Sequence, residues 1–317
     1  MIKVLKEGLF STIQDSGRFG YKNIGVPVSG AMDQTSAKLA NLILGNDESA
    51  AVLEMTLLGP TLEFLNDTYI SITGADMNPM VNKKKVLLNE TLLIKNGDIL
   101  YLANSSNGMR TYLGIRGGLN SEKILGSKSF YKGITKREKL IKNDQIEFDL
   151  SISSPKKINQ NFNDIKINRN SKIKVFKGPE FDCLDPKSQD IIFNNEFTIG
   201  VNNRMAYNLV EIIENKIPSI VSSPLMPGTI QLTPSGRVII LCRDCQTTGG
   251  YPRILQLDKK SLDCLSQKVT GEKINFYLNK SLWNHLKINK LDLKIYAILP
   301  KKVFLDCSER ETPFVTL

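Results

Sequence analysis

The chain has 317 residues, 41% of them hydrophobic and 23% charged, with a formal net charge of +10. That composition fills one large or two ordinary domains and excludes disorder over most of the length. The lysines are scattered, with Lys83–Lys85 the longest run, and are not interleaved with aromatics as nucleic-acid binding requires; a solvated basic surface with a modest attraction for anionic ligands or acidic partners is expected instead.

The chain opens on Met1-Ile-Lys-Val-Leu-Lys, which alternates but has no apolar run suited to a signal peptide. No window approaches the ~20 apolar residues that span a bilayer. A cytoplasmic protein is therefore expected, with no membrane partner. Residues 1–150 are dense in strand signals: Tyr69–Thr73, Lys85–Leu88, Thr91–Ile94 and Met109–Ile115, bounded by Gly, Asn and Asp turns. One helix interrupts them. Asp33 is its N-cap, Ala37, Ala40, Ile43 and Leu44 form its apolar stripe, and Gly45-Asn46 ends it.

A turn-plus-strand shape recurs at Gly97-Asp98, Asn143-Asp144 and Gly271-Glu272, each followed by an alternating strand. Gly and Asn tolerate the positive φ such a turn needs. Residues 151–172 are polar and aperiodic, which marks a linker or exposed excursion. A second β-rich half, 173–317, carries helical stretches near Asp185–Asn194 and Lys260–Gln267. Many short strands with few short helices predict a mostly β protein built of barrels or sandwiches.

The five cysteines are Cys183, Cys242, Cys245, Cys264 and Cys307. An odd count without a secretory signal argues against a disulfide framework. Cys242 and Cys245 form a C-x-x-C, but no second pair exists and His285 is the sole histidine. Val238–Cys245 reads as a strand, on which positions i and i+3 face opposite ways, so ordinary buried or half-buried thiols and no metal site are expected. His285, near Trp283, reads as a surface or packing residue.

Polar, glycine-rich loops between apolar strands are where sites sit. The first such stretch carries Gln14, Asp15, Arg18, Ser29, Met32 and Asp33. The second is Thr73-Gly-Ala-Asp76, and the third is Arg116-Gly117-Gly118 with Leu125-Gly-Ser. The fourth joins Gln231 to Asp244-Cys-Gln246-Thr247-Thr248-Gly249-Gly-Tyr251-Pro252. Glycines let backbone N–H groups approach an anion, an arginine fork grips a carboxylate or phosphate, and Gln and Thr fix both edges of an amide. Asp76 and Asp244 suit a general base; Asp76 equally suits an Asx turn, and Arg18 equally suits a fold-holding network with Asp15 or Asp33.

Taken in order, these stretches resemble the family of the 5-oxoprolinase C subunit, the KipI-antagonist family, which includes allophanate hydrolase subunit 2-like proteins and the matching part of urea carboxylase. The resemblance rests on Thr12-Ile-Gln-Asp-Ser-Gly-Arg, Gly25-Val-Pro-Val-Ser-Gly-Ala-Met-Asp, Leu53-Glu-Met-Thr with Gly59-Pro60, Thr73-Gly-Ala-Asp, Arg116-Gly-Gly, Leu125-Gly-Ser and Gln246-Thr-Thr-Gly-Gly-Tyr-Pro, and covers nearly the whole chain. Asn203-Arg204-Met-Ala-Tyr-Asn208 departs from the family segment, with Ala206 at a usual Gly and Asn208 at a usual Arg.

The resemblance implies two cyclophilin-like β-barrel domains, 1–150 and 173–317. It implies work with the A and B subunits of 5-oxoprolinase, the latter KipI-like, in ATP-dependent opening of 5-oxoproline to glutamate, the lactam oxygen being phosphorylated before water attacks. ATP, with Mg, would sit on this chain or a neighbour. Arg116, Gly117 and Gly118 suit the substrate carboxylate, Asp76 or Asp244 water or metal, and Gln231, Gln246, Thr247, Thr248, Gly249 and Tyr251 the amide. Two alternatives stand beside it. One is a biotin-dependent carboxyltransferase module; the chain has no Met-Lys-Met for covalent biotin. The other is a non-catalytic antagonist of a kinase inhibitor.

Overall fold

The computed structural model describes residues 1–149, 162, 167 and 169–279. Most of the expected linker, together with His285 and Cys307, lies outside them.

The first unit carries β1 (Ile2–Lys6), β2 (Phe10–Gln14), β3 (Val52–Thr56), β4 (Thr61–Phe64), β5 (Thr68–Asp76), β6 (Met80–Val81), β7 (Lys84–Lys85), β8 (Leu92–Ile94), β9 (Ile99–Tyr101), β10 (Asn107–Ile115), β11 (Leu119–Asn120) and β12 (Gln145–Phe148). They form a seven-stranded sheet, β11-β12-β1-β4-β9-β6-β7, and a five-stranded sheet, β2-β3-β10-β5-β8. Both sheets send alternate side chains into one core, Val4, Leu62 and Phe64 from one and Leu53, Ile72 and Leu113 from the other. The Lys83–Lys85 run is the tip of the β6–β7 hairpin, where Asn82 and Lys83 both take positive φ and the lysines face solvent.

The second unit holds β13 (Lys172–Lys177), β14 (Phe197–Asn202), β15 (Ala206–Ile212), β16 (Ser223–Pro224), β17 (Thr229–Leu232), β18 (Arg237–Leu241), β19 (Thr248–Gly249), β20 (Arg253–Leu257) and β21 (Lys273–Leu278). Seven of these close a barrel in the order β13-β20-β17-β18-β15-β14-β21, and β16 pairs only with β19. The mostly β, barrel-based architecture with few short helices is thus present.

Three helices punctuate the described residues: α1 (Gln34–Ile43), α2 (Pro186–Asn194) and α3 (Lys259–Ser266). Each begins the same way. Asp33, Asp185 and Asp258 sit at the N-caps and accept from the backbone N–H three residues on, of Ser36, Ser188 and Ser261. The recurrent turns also share one device. Gly97, Asn143 and Gly271 take positive φ, and the acid after each accepts from the N–H three residues before it: Asp98 from Lys95, Asp144 from Ile141, Glu272 from Val269.

One expectation needs correcting. The strand through Val238 stops at Leu241, and Cys242 to Cys245 form a turn closed by the Cys245 N–H on the Cys242 carbonyl at 3.2 Å. The strand cannot continue because Arg204 and Asp244 hydrogen-bond to each other there by backbone and side chain. Both thiols are buried, and burial raises their pKa values, to about 12 for Cys242 and about 11 for Cys245.

The two units are welded by apolar and polar contacts. Met32 and Met109 of the first unit lie inside the core of the second. Burying each side chain contributes about 1.5–3 kcal/mol. Gln267, just past α3, uses its whole amide at this junction: its Oε1 accepts from the N–H groups of Met109 and Arg110, and its Nε2 donates to the Arg110 carbonyl and to Asp33.

Candidate functional site at the seam between the units

The loop after β2 is anchored by Asp15. Its carboxylate accepts from Gly17 N, Ser127 Oγ, Lys128 N and Ser129 Oγ, all between 2.7 and 2.9 Å. This ties residues 15–18 to the Leu125-Gly-Ser region and leaves Asp15 fully committed. Arg18 follows and is only 1% exposed. Its Nε donates to the Ile124 carbonyl and its Nη2 to the Ser129 carbonyl, while Nη1 is buried with no protein partner. Burial lowers the Arg18 pKa, opposed by Asp15 and by Asp244 of the second unit.

Ser29 lies beside this arginine, because the Arg18 N–H donates to the Val28 carbonyl. It is buried, takes a φ of 55°, donates its N–H to the Arg243 carbonyl across the seam, and leaves its Oγ without a partner. A non-glycine residue held at positive φ with an unpaired hydroxyl is the kind of strain found at functional sites. Gly30 is required next to it: a Cβ there would stand 2.9 Å from Gly17 N.

The second unit answers with Arg204, in the turn between β14 and β15. Its guanidinium grips Asp244 with two bonds, Nε at 2.8 Å and Nη2 at 3.1 Å. It also reaches into the first unit, donating to Glu54 Oε1, to the Gly30 carbonyl and to Gln14 Oε1. Burial works against the charge, but Asp244 and Glu54 override it and raise the Arg204 pKa. Glu54 Oε2 accepts from Met32 N at 2.7 Å and from the Tyr112 hydroxyl at 2.9 Å. Asp33 sits behind this network, where burial and the neighbouring Asp263 push its pKa up to about 6.

Beyond Asp244 the turn presents amides. Gln246 is partly exposed, yet its Oε1 is buried with no partner. Gln231, buried in β17, donates Nε2 to the Tyr251 carbonyl at 3.2 Å. Both glutamines converge on Gly249: a Cβ there would lie 3.2 Å from Gln231 Nε2 and 3.7 Å from Gln246 Nε2. Thr247 spends its carbonyl on Leu225 N, and Thr248 and Tyr251 are exposed at the rim.

The seam therefore brings together Gln14, Asp15, Arg18, Ser29, Met32, Asp33, Arg204 and Asp244, while Gln246, two residues past Asp244, stands with Gln231, Thr247, Thr248, Gly249 and Tyr251 in the turn that follows. It does not bring in Arg116. That guanidinium donates to the Leu44 and Gly45 carbonyls at the C-terminal end of α1, and Asn46 Oδ1 receives Gly117 N. Asp33 is at the other end of the same ten-residue helix, about 15 Å away. Gly117 and Gly118 turn the chain out of β10, both at positive φ. Asp76 accepts from Asn78 N at 2.7 Å in an Asx turn leaving β5. Asp244, with both oxygens held by Arg204, is placed as an anchor for that arginine.

Sequence reasoning gave no site role to Glu54, although Leu53-Glu-Met-Thr is one of the stretches that carry the resemblance, nor to Arg110, Gln267 and Tyr112. Arg110 is fully buried and donates through Nη1 to the Tyr207 hydroxyl and the Ser266 carbonyl. The available signal was a charge within an apolar strand: all of Val52–Thr56 is buried, and Glu54 is its one ionisable residue. As for bound groups, the uncommitted Arg18 Nη1 and Ser29 Oγ fit an anionic or carbonyl oxygen, and Gln246 Oε1 fits an N–H. Among the described residues no group of three or more His, Cys, Asp or Glu side chains is placed to hold a metal ion. Among them, too, no helix is long and apolar enough to cross a membrane.

Residues 24–278 match the family described as carboxyltransferase domain, subdomain A and B. The chain is 33% identical over 283 residues to the 5-oxoprolinase C subunit of Escherichia coli (strain K12), covering 87% of this chain and 90% of that one. It is 42% identical over 130 residues to the urea amidolyase of Lachancea kluyveri, covering 41% of this chain and 7% of that one. Among solved structures, that of TTHA0988 superposes with a TM-score of 0.77 at 26% identity, over 87% of this chain and 55% of that chain. The K. lactis urea amidolyase superposes at 0.75 and 26%, over 87% and 18%. The chain thus spans about half, or less, of the length of these solved structures.

Proposed function

The chain belongs to the carboxyltransferase domain family, subdomains A and B, and on that premise we propose that it is the amide-binding subunit of a 5-oxoprolinase. In this reading it acts with the A subunit of that enzyme, together with a KipI-like B subunit, in ATP-dependent hydrolysis of 5-oxo-L-proline to L-glutamate. One observation carries the proposal: the seam holds a buried donor without an acceptor, Arg18 Nη1, and a buried acceptor without a donor, Gln246 Oε1. Buried polar groups are nearly always paired, and those left over at a seam mark where a ligand completes them. A lactam with a carboxylate offers both complements, an N–H for Gln246 and an anionic oxygen for Arg18 and Ser29.

The chain's own residues then bind and orient. Arg204, fixed by Asp244 and Glu54, holds the two walls in register, and the guanidinium of Arg18 takes the anchoring role that the sequence suggested for Arg116. ATP supplies the phosphoryl group that activates the lactam oxygen. ADP leaves, one water adds to the ring carbonyl carbon, the C–N bond breaks with the nitrogen protonated as the amino group, and a second water hydrolyses the resulting acyl phosphate to the glutamate side-chain carboxylate and phosphate. The Escherichia coli 5-oxoprolinase C subunit, matched over nearly its full length, supports this substrate. The test is Arg18→Lys in the reconstituted complex, which keeps the charge and loses the fork. The KM for 5-oxoproline should rise at least tenfold; an unchanged KM removes Arg18 from the site.

The family itself favours a second reading. A carboxyltransferase would move a carboxyl group from biotin on another chain to an amide nitrogen, which loses its proton. The same Gln246 acceptor would orient that N–H. Avidin separates the two, since it blocks a biotin-dependent route and leaves lactam hydrolysis untouched.

A further inference from the structure

The mouth of the seam is apolar, which the binding chemistry does not require. Phe19 is 65% exposed and Ile24 64%, on the loop that follows Arg18; across the seam Val221 is 80% exposed and Met226 52%. These loops adjoin. Lys22 Nζ donates to the Leu225 carbonyl at 3.3 Å, Leu225 N to Thr247 O, and Ile220 N to Gly250 O. The short β16–β19 sheet lies between them, each strand paired only with the other, so main-chain donors and acceptors remain along its edges. Single exposed apolar residues need no explanation, but a group spanning two loops of two units beside a binding seam marks an interaction surface.

We infer that this mouth is the docking surface for a separate protein chain whose contact face sets carboxylates among apolar side chains. Three observations fix the occupant. Lys22, between Phe19 and Ile24, has no ion pair to a carboxylate among the described residues; its bond goes to a carbonyl. A partner's carboxylate satisfies it, and the chain's net charge of +10 steers an acidic face toward it. A second copy of this chain would bring a second Lys22 to the same place and is disfavoured by like charge. TTHA0988, of which this chain spans 55%, continues for nearly half its length beyond the matched fold, so a relative of this fold already carries a further segment in the same polypeptide.

The inference rests on the complex proposed above, and it adds a mechanical consequence. The loop bearing Phe19 and Ile24 begins at Arg18, so a partner seated on it holds in place the loop that carries the buried Arg18 guanidinium.

The test measures association without substrate. The purified chain is titrated separately with the A and the B companions by sedimentation velocity and isothermal calorimetry, using wild type, Phe19→Asp with Ile24→Asp, and Lys22→Glu. Val210→Asp, an exposed position on the outer face of β15, is the control, and thermal melting checks that each variant folds. One companion should bind wild type and Val210→Asp alike and the mouth variants at least tenfold more weakly, with Lys22→Glu affected most at low salt. The inference is overturned if neither companion binds, if mouth variants bind like wild type, or if this face instead forms a homodimer. Because no substrate is present, a complex that assembles normally but does not hydrolyse 5-oxoproline contradicts the proposed reaction and leaves the docking surface standing.

Discussion

Arg204 and Glu54 meet across the boundary between the two units, Nη1 to Oε1 at 2.5 Å, with both side chains buried. The same guanidinium holds Asp244 in its own unit. One arginine therefore bridges two carboxylates that come from opposite walls of the seam, and Arg110 Nε stands 3.9 Å from Glu54 as a second cation. Removing water from three charges costs several kcal/mol per ion, and the arrangement is stable only because nearly every oxygen and N–H is bonded.

Arg204→Ala leaves the partly buried Asp244 without its cation and the buried Glu54 with only Arg110, whose Nε is 3.9 Å away. Chemical denaturation should show a loss of about 3–5 kcal/mol. Glu54→Gln combined with Arg204→Met should recover part of that loss, because Glu54 then carries no charge and only Asp244 lacks its cation. A loss below about 1 kcal/mol for Arg204→Ala would mean that the seam does not depend on this pair.

Asp33 gives the seam a pH signature. Its folded pKa is raised from 3.8 to about 6, so the folded state binds this proton more tightly than the unfolded chain does. A raised carboxyl pKa lowers stability as pH climbs through the window between the two values. The penalty is absent below it and complete above it, on the order of 3 kcal/mol. Other carboxylates slope the opposite way, so the informative quantity is a difference. The stability of Asp33→Asn minus that of wild type should rise between pH 4 and 6 and flatten above; a flat difference throughout would show that Asp33 titrates normally.

Arg116→Ala should weaken the protein and spare substrate binding. It removes the donors that close the C-terminal end of α1, worth about 1–2 kcal/mol. The melting temperature should fall while the KM for 5-oxoproline stays within twofold. A tenfold higher KM with unchanged melting would put Arg116 against the substrate.

Much of this was legible in the sequence because local rules carried it. The three helix caps and the three turns at Gly97, Asn143 and Gly271 are set by residues within a few positions of one another. The seam is different in kind. Glu54 and Arg204 are 150 positions apart and meet only after both sheets have formed. A glycine-rich stretch that caps a helix, as at Arg116-Gly-Gly, looks in sequence like one that faces a ligand. The distinction lies in which carbonyl the guanidinium finds. C-x-x-C was misread as strand for a related reason: the Asp244 between its cysteines belongs to an arginine forty positions earlier.

Gly249→Ala probes the amide pocket without adding charge. The new Cβ would come within 2.7 Å of Leu225 Cδ1 and 3.2 Å of Gln231 Nε2. Leu225 can give way, so stability should change by less than about 1 kcal/mol. Gln231 is displaced, and the KM for 5-oxoproline should rise several-fold. Normal kinetics would show that Gln231 is not in contact with substrate.

The central claim is that this chain completes a lactam-hydrolysing complex through Arg18 and Gln246. The most direct measurement is 5-oxoproline-dependent ATP hydrolysis and glutamate release by the chain reconstituted with the A and B subunits. It is run with this chain omitted, and with the acceptor-free Gln246→Leu. Omission should abolish glutamate release, and Gln246→Leu should reduce kcat/KM at least tenfold with an unchanged melting temperature. Full glutamate release in the absence of this chain, or unaltered kinetics with Gln246→Leu, would contradict the claim.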